Sequence, residues 1–239
     1  MCGRYTITSP PETIKSYFGY SEQPNFPPRY NIAPTQPIPI VRMNAEKVEF
    51  ALVRWGLVPA WVKEISPSKP LINARAETLL EKPSFKKAAM RRRCLLPVNG
   101  YYEWYRAKDA PPLPYYIQQK EGDLFAIAGV WEHWQDANGN ELESAALITT
   151  QANKTLSPIH HRMPVILDKA AQERWLNVAE CSAKEVYEDL IPADDELLMA
   201  HRVSARVNKV ANDDPELLTA IIDEPELTEQ DSDTQMSLF

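Results

Sequence analysis

Short apolar runs separated by turn residues dominate the middle of the chain and predict strands. Their length and their β-branched and aromatic content distinguish them from helices. The predicted strands cover residues 2–7, 41–43, 48–55, 93–99, 101–105, 115–119, 124–134, 143–150 and 197–203. Asn44-Ala45 and Asn138-Gly139 predict tight hairpin turns, the second because Asn-Gly suits positive φ. Short neighbouring strands with tight turns favour an antiparallel sheet that curls into a sandwich or barrel.

Helical patterns are fewer and flank this strand-rich region. One helix is predicted to end at Phe18, with Ser9 as its N-cap. Further helices are predicted over residues 74–80, 84–90, 168–177 and 182–190. Ser84 would cap the second of these, and a Ser182 to Glu185 capping box supports the last. The predicted fold class is α+β, a single domain with a mainly antiparallel β-sandwich or barrel-like core and several peripheral helices.

The composition agrees with one folded domain and a tail. A chain of 239 residues with 44% apolar residues is large enough for a substantial core. Abundant Pro, as in residues 24–39, predicts stiff loops, and scarce Gly leaves no G-x-G phosphate loop, so no nucleotide cofactor is expected. The domain is predicted over 2–222, and the acidic segment 223–239 is predicted to be disordered.

The cysteines and the N-terminus bear on compartment and metal binding. Cys2, Cys94 and Cys181 are odd in number, far apart and without C-x-x-C spacing, so neither a disulfide framework nor a metal site is expected. No stretch reaches the apolar length of a membrane span. Because the polar N-terminus lacks an apolar signal-peptide core, we expect a cytoplasmic protein.

The charge balance is acidic overall but uneven. A net charge of −7 is not typical of a nucleic-acid-binding domain. The acidic excess lies in the last third of the chain, whereas residues 82–93 hold six Lys and Arg residues. Both a local basic groove and an ordinary solvated face fit that cluster.

Cys2 has the most distinctive potential chemistry. A small side chain at position two permits removal of the initiator Met, so we expect the mature chain to begin at Cys2. Its α-amine and thiol, with pKa values near ~8 and ~8.5, would then both be partly unprotonated at neutral pH. The amine can form an imine with an aldehyde, and the thiolate can close a thiazolidine ring. A self-activated hydrolase and an ordinary buried Cys are the alternatives.

Three further positions suggest a role in catalysis or binding. Asn73 suits either a helix cap or the orientation of a nucleophile, and Arg75 beside it can clamp a phosphate through two hydrogen bonds. Glu103 lies among aromatic residues in a half-buried strand, where burial would raise its carboxyl pKa toward a range useful for acid-base catalysis. A salt bridge to a buried Arg is the alternative there.

A histidine pair and a tryptophan complete the candidates. Neighbouring His160 and His161 point apart on an irregular segment, so proton transfer by one His is favoured over a shared metal ion. A His hydrogen-bonded in the core is the alternative. Trp61 suits either a stacking platform for unpaired bases or the core.

Four separated motifs form a combined pattern that is more specific than any one of them. They are MCGR at 1–4, LINARAE at 71–77, GYYEW at 100–104 and IHHRMP at 159–164, with RYNIAP at 29–34 and WGLVP at 55–59 as further segments. Their order and spacing resemble the SRAP family, the SOS-response-associated peptidases, also called abasic site processing proteins. The resemblance runs from residue 2 to about residue 208.

The resemblance implies binding of single-stranded DNA and a covalent thiazolidine between Cys2 and the aldehyde of an abasic site. By position, Cys2 is the nucleophile, Asn73 orients the amine or sugar, Glu103 moves protons at the amine, and His160 assists opening of the sugar ring. An imine intermediate also permits β-elimination, an AP-lyase activity. The residues matched to DNA-binding positions are Arg4, Trp61, Arg75, Thr149 and Arg162.

Two departures from the family pattern and two alternative functions remain. The acidic tail is not part of the pattern. Val62 stands where some members have a second Trp, which reduces the expected stacking surface. A Cys2-dependent peptidase, at least for Met1, and a non-covalent reader of modified or single-stranded DNA are the competing functions. The expected partners are abasic single-stranded DNA and replication-fork proteins, with no membrane, metal or cofactor, and the expected state is a monomer.

Overall fold

The computed structural model describes residues 2–22, 25–65, 70–122 and 124–221, and the predicted tail 223–239 lies outside them. In these ranges the strands are β1 (Tyr5–Ile7), β2 (Arg29–Ile32), β3 (Pro37–Asn44), β4 (Lys47–Trp55), β5 (Asn73–Arg75), β6 (Arg93–Val98), β7 (Gly100–Tyr105), β8 (Leu113–Gln119), β9 (Phe125–Gln135), β10 (Glu141–Gln151), β11 (Arg162–Pro164), β12 (Ile166–Leu167) and β13 (Leu198–Arg202). The α-helices there are α1 (Pro11–Phe18), α2 (Pro83–Arg91) and α3 (Lys169–Leu176).

Five strands close into a barrel. β4 pairs with β3, β3 with β6, β6 with β9 and β9 with β10, all antiparallel, and β10 returns to β4 in parallel. β5 and β11 extend β10, and β12 extends β9. The barrel confirms the predicted α+β class and its mainly antiparallel, barrel-like core.

A second antiparallel sheet packs beside the barrel, in the strand order β13-β8-β7-β1-β2. Tyr5 of β1 lies opposite Tyr101 of β7, and both side chains are fully buried. They belong to one apolar core with barrel residues such as Trp55 and Ile148. This sheet positions the candidate site because Cys2 leads directly into β1 and Glu103 lies in β7.

The C-terminal part of the described chain forms a strap over the second sheet. Its 3-10 turns at Ala205–Asn208 and Pro215–Leu218 bury Val207 and Leu217 against Tyr102 of β7. The Asp213 carboxylate accepts the backbone N–H groups at the start of β2. The strap therefore fixes β2, the neighbour of β1.

Two predicted helices are wrong. Residues 74–80 form the end of β5 and a 3-10 turn at Ala76–Thr78, because Asn73–Arg75 pairs in parallel with β10. Residues 182–190 form only a 3-10 turn at Val186–Asp189. The Ser182 to Glu185 capping box does form, with hydrogen bonds of 2.7 and 3.3 Å, but no α-helix continues from it.

Two predicted caps are also wrong. α1 begins after Pro10, and the Ser9 hydroxyl instead accepts a hydrogen bond from Asn99 Nδ2 at 2.7 Å. α2 begins at Pro83 after Lys82, so Ser84 already lies inside the helix. In both places Pro occupies the first turn, where its missing N–H costs nothing. None of the helices in the described ranges is long and apolar enough to cross a membrane.

Candidate active site

Cys2 lies buried at the entrance to β1, with 1% of its surface exposed. Its Sγ is 3.7 Å from the Arg4 carbonyl oxygen, which can accept a hydrogen bond from the thiol. Burial raises the pKa of the Cys2 thiol, and the negative charge of Glu103 raises it further. The thiol is therefore held in its protonated form at neutral pH.

Asn73 connects the barrel to Cys2. It opens β5, whose parallel pairing with Leu147 of β10 fixes its backbone. Its Nδ2 donates a hydrogen bond of 3.0 Å to the Cys2 carbonyl oxygen. Its Oδ1 is buried and accepts no hydrogen bond from the described residues. Asn73 caps no α-helix, and its amide presents a vacant acceptor next to the residue predicted to carry the terminal amine.

Glu103 is the acidic group of the site. It lies in β7 opposite Tyr115 and is only 4% exposed. Burial raises the pKa of the Glu103 carboxyl, and nearby positive charge, including that of His161, opposes this rise. A carboxyl with a raised pKa suits proton transfer near neutral pH.

His160 lies in the turn before β11. Its Nδ1 lies 3.0 Å from the backbone nitrogen of Arg162 and 3.2 Å from the Arg162 carbonyl oxygen, so it can accept from that N–H or donate to that carbonyl, according to the tautomer. The ring stacks on His161 with centroids 4.4 Å apart, so the prediction that the two rings point apart is wrong. Burial lowers the pKa of His160, and the positive charge of Arg162 contributes. The ring is therefore neutral at pH 7 and can both give and accept a proton.

The three candidate phosphate-binding arginines differ in their surroundings. Arg4 Nη1 donates to Asn31 Oδ1 at 2.9 Å and to the Val207 carbonyl oxygen at 2.8 Å. Arg162 is largely buried and is held by Glu77 and Thr149. Arg75 is exposed, and within the described ranges no hydrogen bond or ion pair holds its guanidinium. Arg75 is therefore the arginine most available to a phosphate.

Arg75 borders an open cleft of about 440 Å³ beside the histidine turn, whose lining residues are Arg75, Gln151, Ala152, Ser157, His161 and Arg162. Thr149 lies next to this cleft in β10, and its hydroxyl accepts from Arg162 Nη2 at 3.2 Å. A cavity of about 660 Å³ between α1 and α3 is lined by none of the predicted site residues.

Trp61 is 62% exposed, whereas Trp55 at the start of the same segment is fully buried. Trp55 thus belongs to the core, whereas Trp61 at the other end of the segment is an exposed platform. Trp61 borders two small clefts, of about 170 and 200 Å³. Ser84 of α2 lines both clefts, and Pro83 of α2 lines the smaller one. Neither cleft is lined by the residues around Cys2.

Sequence reasoning missed several groups around these residues. Glu77, the partner of Arg162, lies in the same motif as Asn73. A negative charge in that motif could have indicated an ion pair with a site arginine. Asn31, the partner of Arg4, had no distinguishing pattern. The buried hydroxyls of Tyr5 and Tyr101 also have no hydrogen-bond partner among the described residues. In those residues no three His, Cys, Asp or Glu side chains come together to hold a metal ion.

The barrel and the flanking sheet define a single-domain α+β protein with a buried thiol, Cys2, in contact with Asn73 and within electrostatic reach of the Glu103 carboxyl group. The chain belongs to the SRAP family: the model of that family, described as SOS response associated peptidase, matches residues 1–210.

Relatives agree with this assignment. The chain is 38% identical over 221 residues to the abasic site processing protein YoqW of Bacillus subtilis, covering 91% of this chain and 99% of that protein. It is 35% identical to the abasic site processing protein HMCES of Gallus gallus, covering 81% of this chain and 66% of that protein. A solved protein structure from Bacteroides thetaiotaomicron superposes with a TM-score of 0.82 at 30% identity, covering 92% of this chain and 100% of that chain.

Proposed function

We propose that this protein processes abasic sites in single-stranded DNA by forming a thiazolidine between Cys2 and the sugar aldehyde. The observation that carries the proposal is the contact of Asn73 with Cys2. Asn73 Nδ2 donates a hydrogen bond to the Cys2 carbonyl oxygen, and the buried Asn73 Oδ1 has no donor among the residues that the structure describes. A free α-amine on Cys2, exposed by removal of Met1, supplies such a donor. The names of the relatives support the substrate class.

The proposed reaction starts at the closed sugar. The abasic sugar is mostly a cyclic hemiacetal, and its opening moves a proton from the C1′ hydroxyl to the ring oxygen. A neutral His160 has one protonated and one unprotonated ring nitrogen, which suits this transfer. The Cys2 amine then attacks the aldehyde carbon and water leaves, with Glu103 taking and returning the protons, and an imine remains.

Ring closure follows from the thiol. Cys2 Sγ adds to the imine carbon, and the thiol proton is transferred to the imine nitrogen, so no other reactant is needed. The raised thiol pKa fits this order, since the protonated thiol does not compete with the amine for the aldehyde. Before closure, the imine also allows β-elimination of the 3′ phosphate, which is the proposed lyase side reaction.

The proposed DNA path runs along the cleft beside the histidine turn. Arg75 supplies an exposed guanidinium for a backbone phosphate, and the exposed ring of Trp61 is proposed to stack on a base. Thr149 is fully buried next to this cleft and contacts Arg162. Arg4 and Arg162 have partners within the protein, so their predicted phosphate contacts require a remaining free N–H or a change of partner.

A denaturing gel tests the proposal. Protein shown by mass spectrometry to begin at Cys2 is incubated with single-stranded DNA carrying one abasic site, without reductant. We expect a shifted band that is lost in Cys2→Ala and kept in Cys181→Ala, a matched control outside the site. Absence of the band from the wild-type protein would overturn the covalent function. A Cys2→Ala variant that binds DNA as before, with no wild-type band, would indicate a non-covalent reader.

The second candidate is a Cys2-dependent peptidase that removes Met1, which the family description favours. A peptidase needs a thiolate at neutral pH, and the raised thiol pKa opposes it. Intact mass spectrometry of Asn73→Ala and Glu103→Gln separates the cases. Retention of Met1 in these variants would support autocatalysis, and normal removal would assign that step to a cellular aminopeptidase.

A further inference from the structure

The smaller of the two clefts beside Trp61 has a carboxylate in its wall. It measures about 170 Å³, and its walls include Pro59, Trp61, Ser84, Lys87 and Glu132. Glu132 lies in β9 and is only 4% exposed, so protein encloses most of its side chain. A carboxylate repels DNA phosphates, so its position beside a ring proposed to stack on DNA indicates a ligand of another chemistry.

The fold uses only one of the two Glu132 carboxylate oxygens. Oε1 lies 3.0 Å from Arg92 Nη1 and accepts the backbone N–H of His133, also at 3.0 Å. Oε2 accepts no hydrogen bond from the part of the chain that the structure describes, and it is not among the buried side-chain atoms that lack a partner there. Because Glu132 lines the cleft, Oε2 is an acceptor that remains open to it.

The neighbouring groups complement the edge and the face of a nucleobase. Trp61 is 62% exposed and offers a ring on which a base can stack. Ser84 and Lys87 are three residues apart in α2, and both can donate hydrogen bonds into the cleft that they line. A stacking face, one open acceptor and two donors are the groups that recognise an unpaired base.

We propose that this cleft binds one unpaired base beside Trp61, and that Glu132 selects cytosine by accepting its exocyclic amino group. Glu132 Oε2 accepts from cytosine N4, while Lys87 or Ser84 donates to the ring acceptors N3 and O2. Thymine has a ring of the same size but presents the O4 acceptor to the carboxylate. Adenine also carries an amino group, but a one-ring base suits so small a cleft better.

This inference rests on the proposed function and deepens it by naming a preferred base in the DNA next to the damage. Its test uses wild-type protein and single-stranded DNA without an abasic site, so that no crosslink can form. Oligonucleotides of equal length contain only cytosine, only thymine or only adenine. Fluorescence anisotropy at about pH 8, where carboxylates are ionised, gives each dissociation constant.

The test compares Glu132→Gln with Glu143→Gln as a matched control. Glu143 pairs with Arg42 at 2.8 Å, as Glu132 pairs with Arg92, and both arginines lie over the Trp131 ring. Glu143 does not line the cleft. Loss of an ion pair at Trp131 is therefore common to both variants, whereas loss of the open carboxylate oxygen occurs only in Glu132→Gln.

We expect the wild-type protein to bind the cytosine oligonucleotide about fivefold more tightly than the thymine oligonucleotide, the low end of discrimination by one base edge. Glu132→Gln should lose this preference, because a Gln amide can accept from cytosine N4 or donate to thymine O4. Glu143→Gln should keep it. Replacing cytosine by pyrimidin-2-one, which lacks only the amino group, should weaken wild-type binding to the thymine level, whether or not Glu132→Gln folds.

Equal affinity of the wild-type protein for cytosine and thymine would overturn the inference. A preference that persists in Glu132→Gln would also overturn it, as would tighter binding of adenine than of cytosine, which would mean that stacking area decides. Crosslinking to abasic DNA is measured separately on the same protein. Cytosine preference without crosslinking would refute the proposed function alone, and crosslinking without cytosine preference would refute this inference alone.

Discussion

At the scale of single residues, the site combines groups that do not favour the stability of the fold. Cys2 and Glu103 are both buried, both have raised pKa values, and the charge of Glu103 raises that of the thiol. Within the described ranges, no donor reaches the buried Oδ1 of Asn73. Such groups destabilise a folded core and are expected where binding or catalysis requires them.

Replacing Glu103 should stabilise the protein while slowing the reaction. A carboxyl whose pKa is raised by folding binds more protons in the native state, so its penalty appears as pH rises above the unfolded pKa of about 4.3. Glu103→Gln should therefore raise Tm by about 3 °C at pH 8, with the gain vanishing near pH 4. Thermal denaturation at several pH values checks this. A constant gain, or a loss, would contradict the assigned pKa shift.

Loss of the hydroxyl should change the unfolding free energy differently at two buried tyrosines. The Tyr101 hydroxyl has no partner among the described residues, whereas the Tyr116 hydroxyl lies 2.9 Å from Thr6 Oγ1. Tyr101→Phe should be neutral or stabilising, and Tyr116→Phe should cost about 1 kcal/mol in unfolding free energy. Urea denaturation measures both. Equal losses would mean that Tyr101 has a partner in solution.

At the scale of elements, local signals predicted most strands and failed where long-range pairing decides. The β3–β4 and β9–β10 hairpins follow from alternation and turn residues, and Gly139 has the positive φ expected of its turn. The local sequence of β5 predicts the start of a helix, but β5 forms a strand because it pairs in parallel with β10, more than 70 residues later in the chain. The same pairing positions Asn73. The sequence motif around Asn73 could therefore be recognised, but its hydrogen bond to Cys2 could not be predicted, because that contact depends on long-range pairing.

The start of β7 is an element whose packing supports the site. A Cβ on Gly100 would lie 2.3 Å from the Tyr116 ring and hydroxyl, which is too close for either strand to keep its place. Gly100→Ala should cost about 3 kcal/mol and slow crosslinking by displacing Glu103. Adding Tyr116→Leu should recover part of that stability, because the flexible side chain can retreat. Full stability of Gly100→Ala alone in urea would contradict the β7–β8 packing.

At the scale of the whole molecule, a net charge of −7 must coexist with the proposed binding to DNA, a polyanion. The structure places many of its cations in ion pairs, such as Arg162 with Glu77 and Arg206 with Asp214 and Glu216. The exposed Arg75 beside the cleft is an exception among the described residues. Binding is therefore expected to rest on a few phosphate contacts rather than on overall charge.

The salt dependence of DNA binding should reflect these few contacts. For the Cys2→Ala variant, log affinity for single-stranded DNA should fall linearly with log salt, and Arg75→Ala should reduce the slope by about 0.7, the value for one phosphate contact. Arg206→Ala, a matched arginine held by two carboxylates, should keep the slope. Fluorescence anisotropy across a salt series measures this. Equal slopes for Arg75→Ala and the parent variant would remove Arg75 from the DNA path.

The central claim is that one residue, Cys2, supplies both bonds to the abasic site. Intact mass spectrometry combined with thiol alkylation tests it on protein that begins at Cys2. We predict an adduct whose mass equals protein plus DNA minus one water, formed without reductant, in which Cys2 resists alkylation. An adduct of that mass with Cys2 still alkylated would be an open imine, and an adduct that persists in Cys2→Ala would arise elsewhere. Either result would contradict the account.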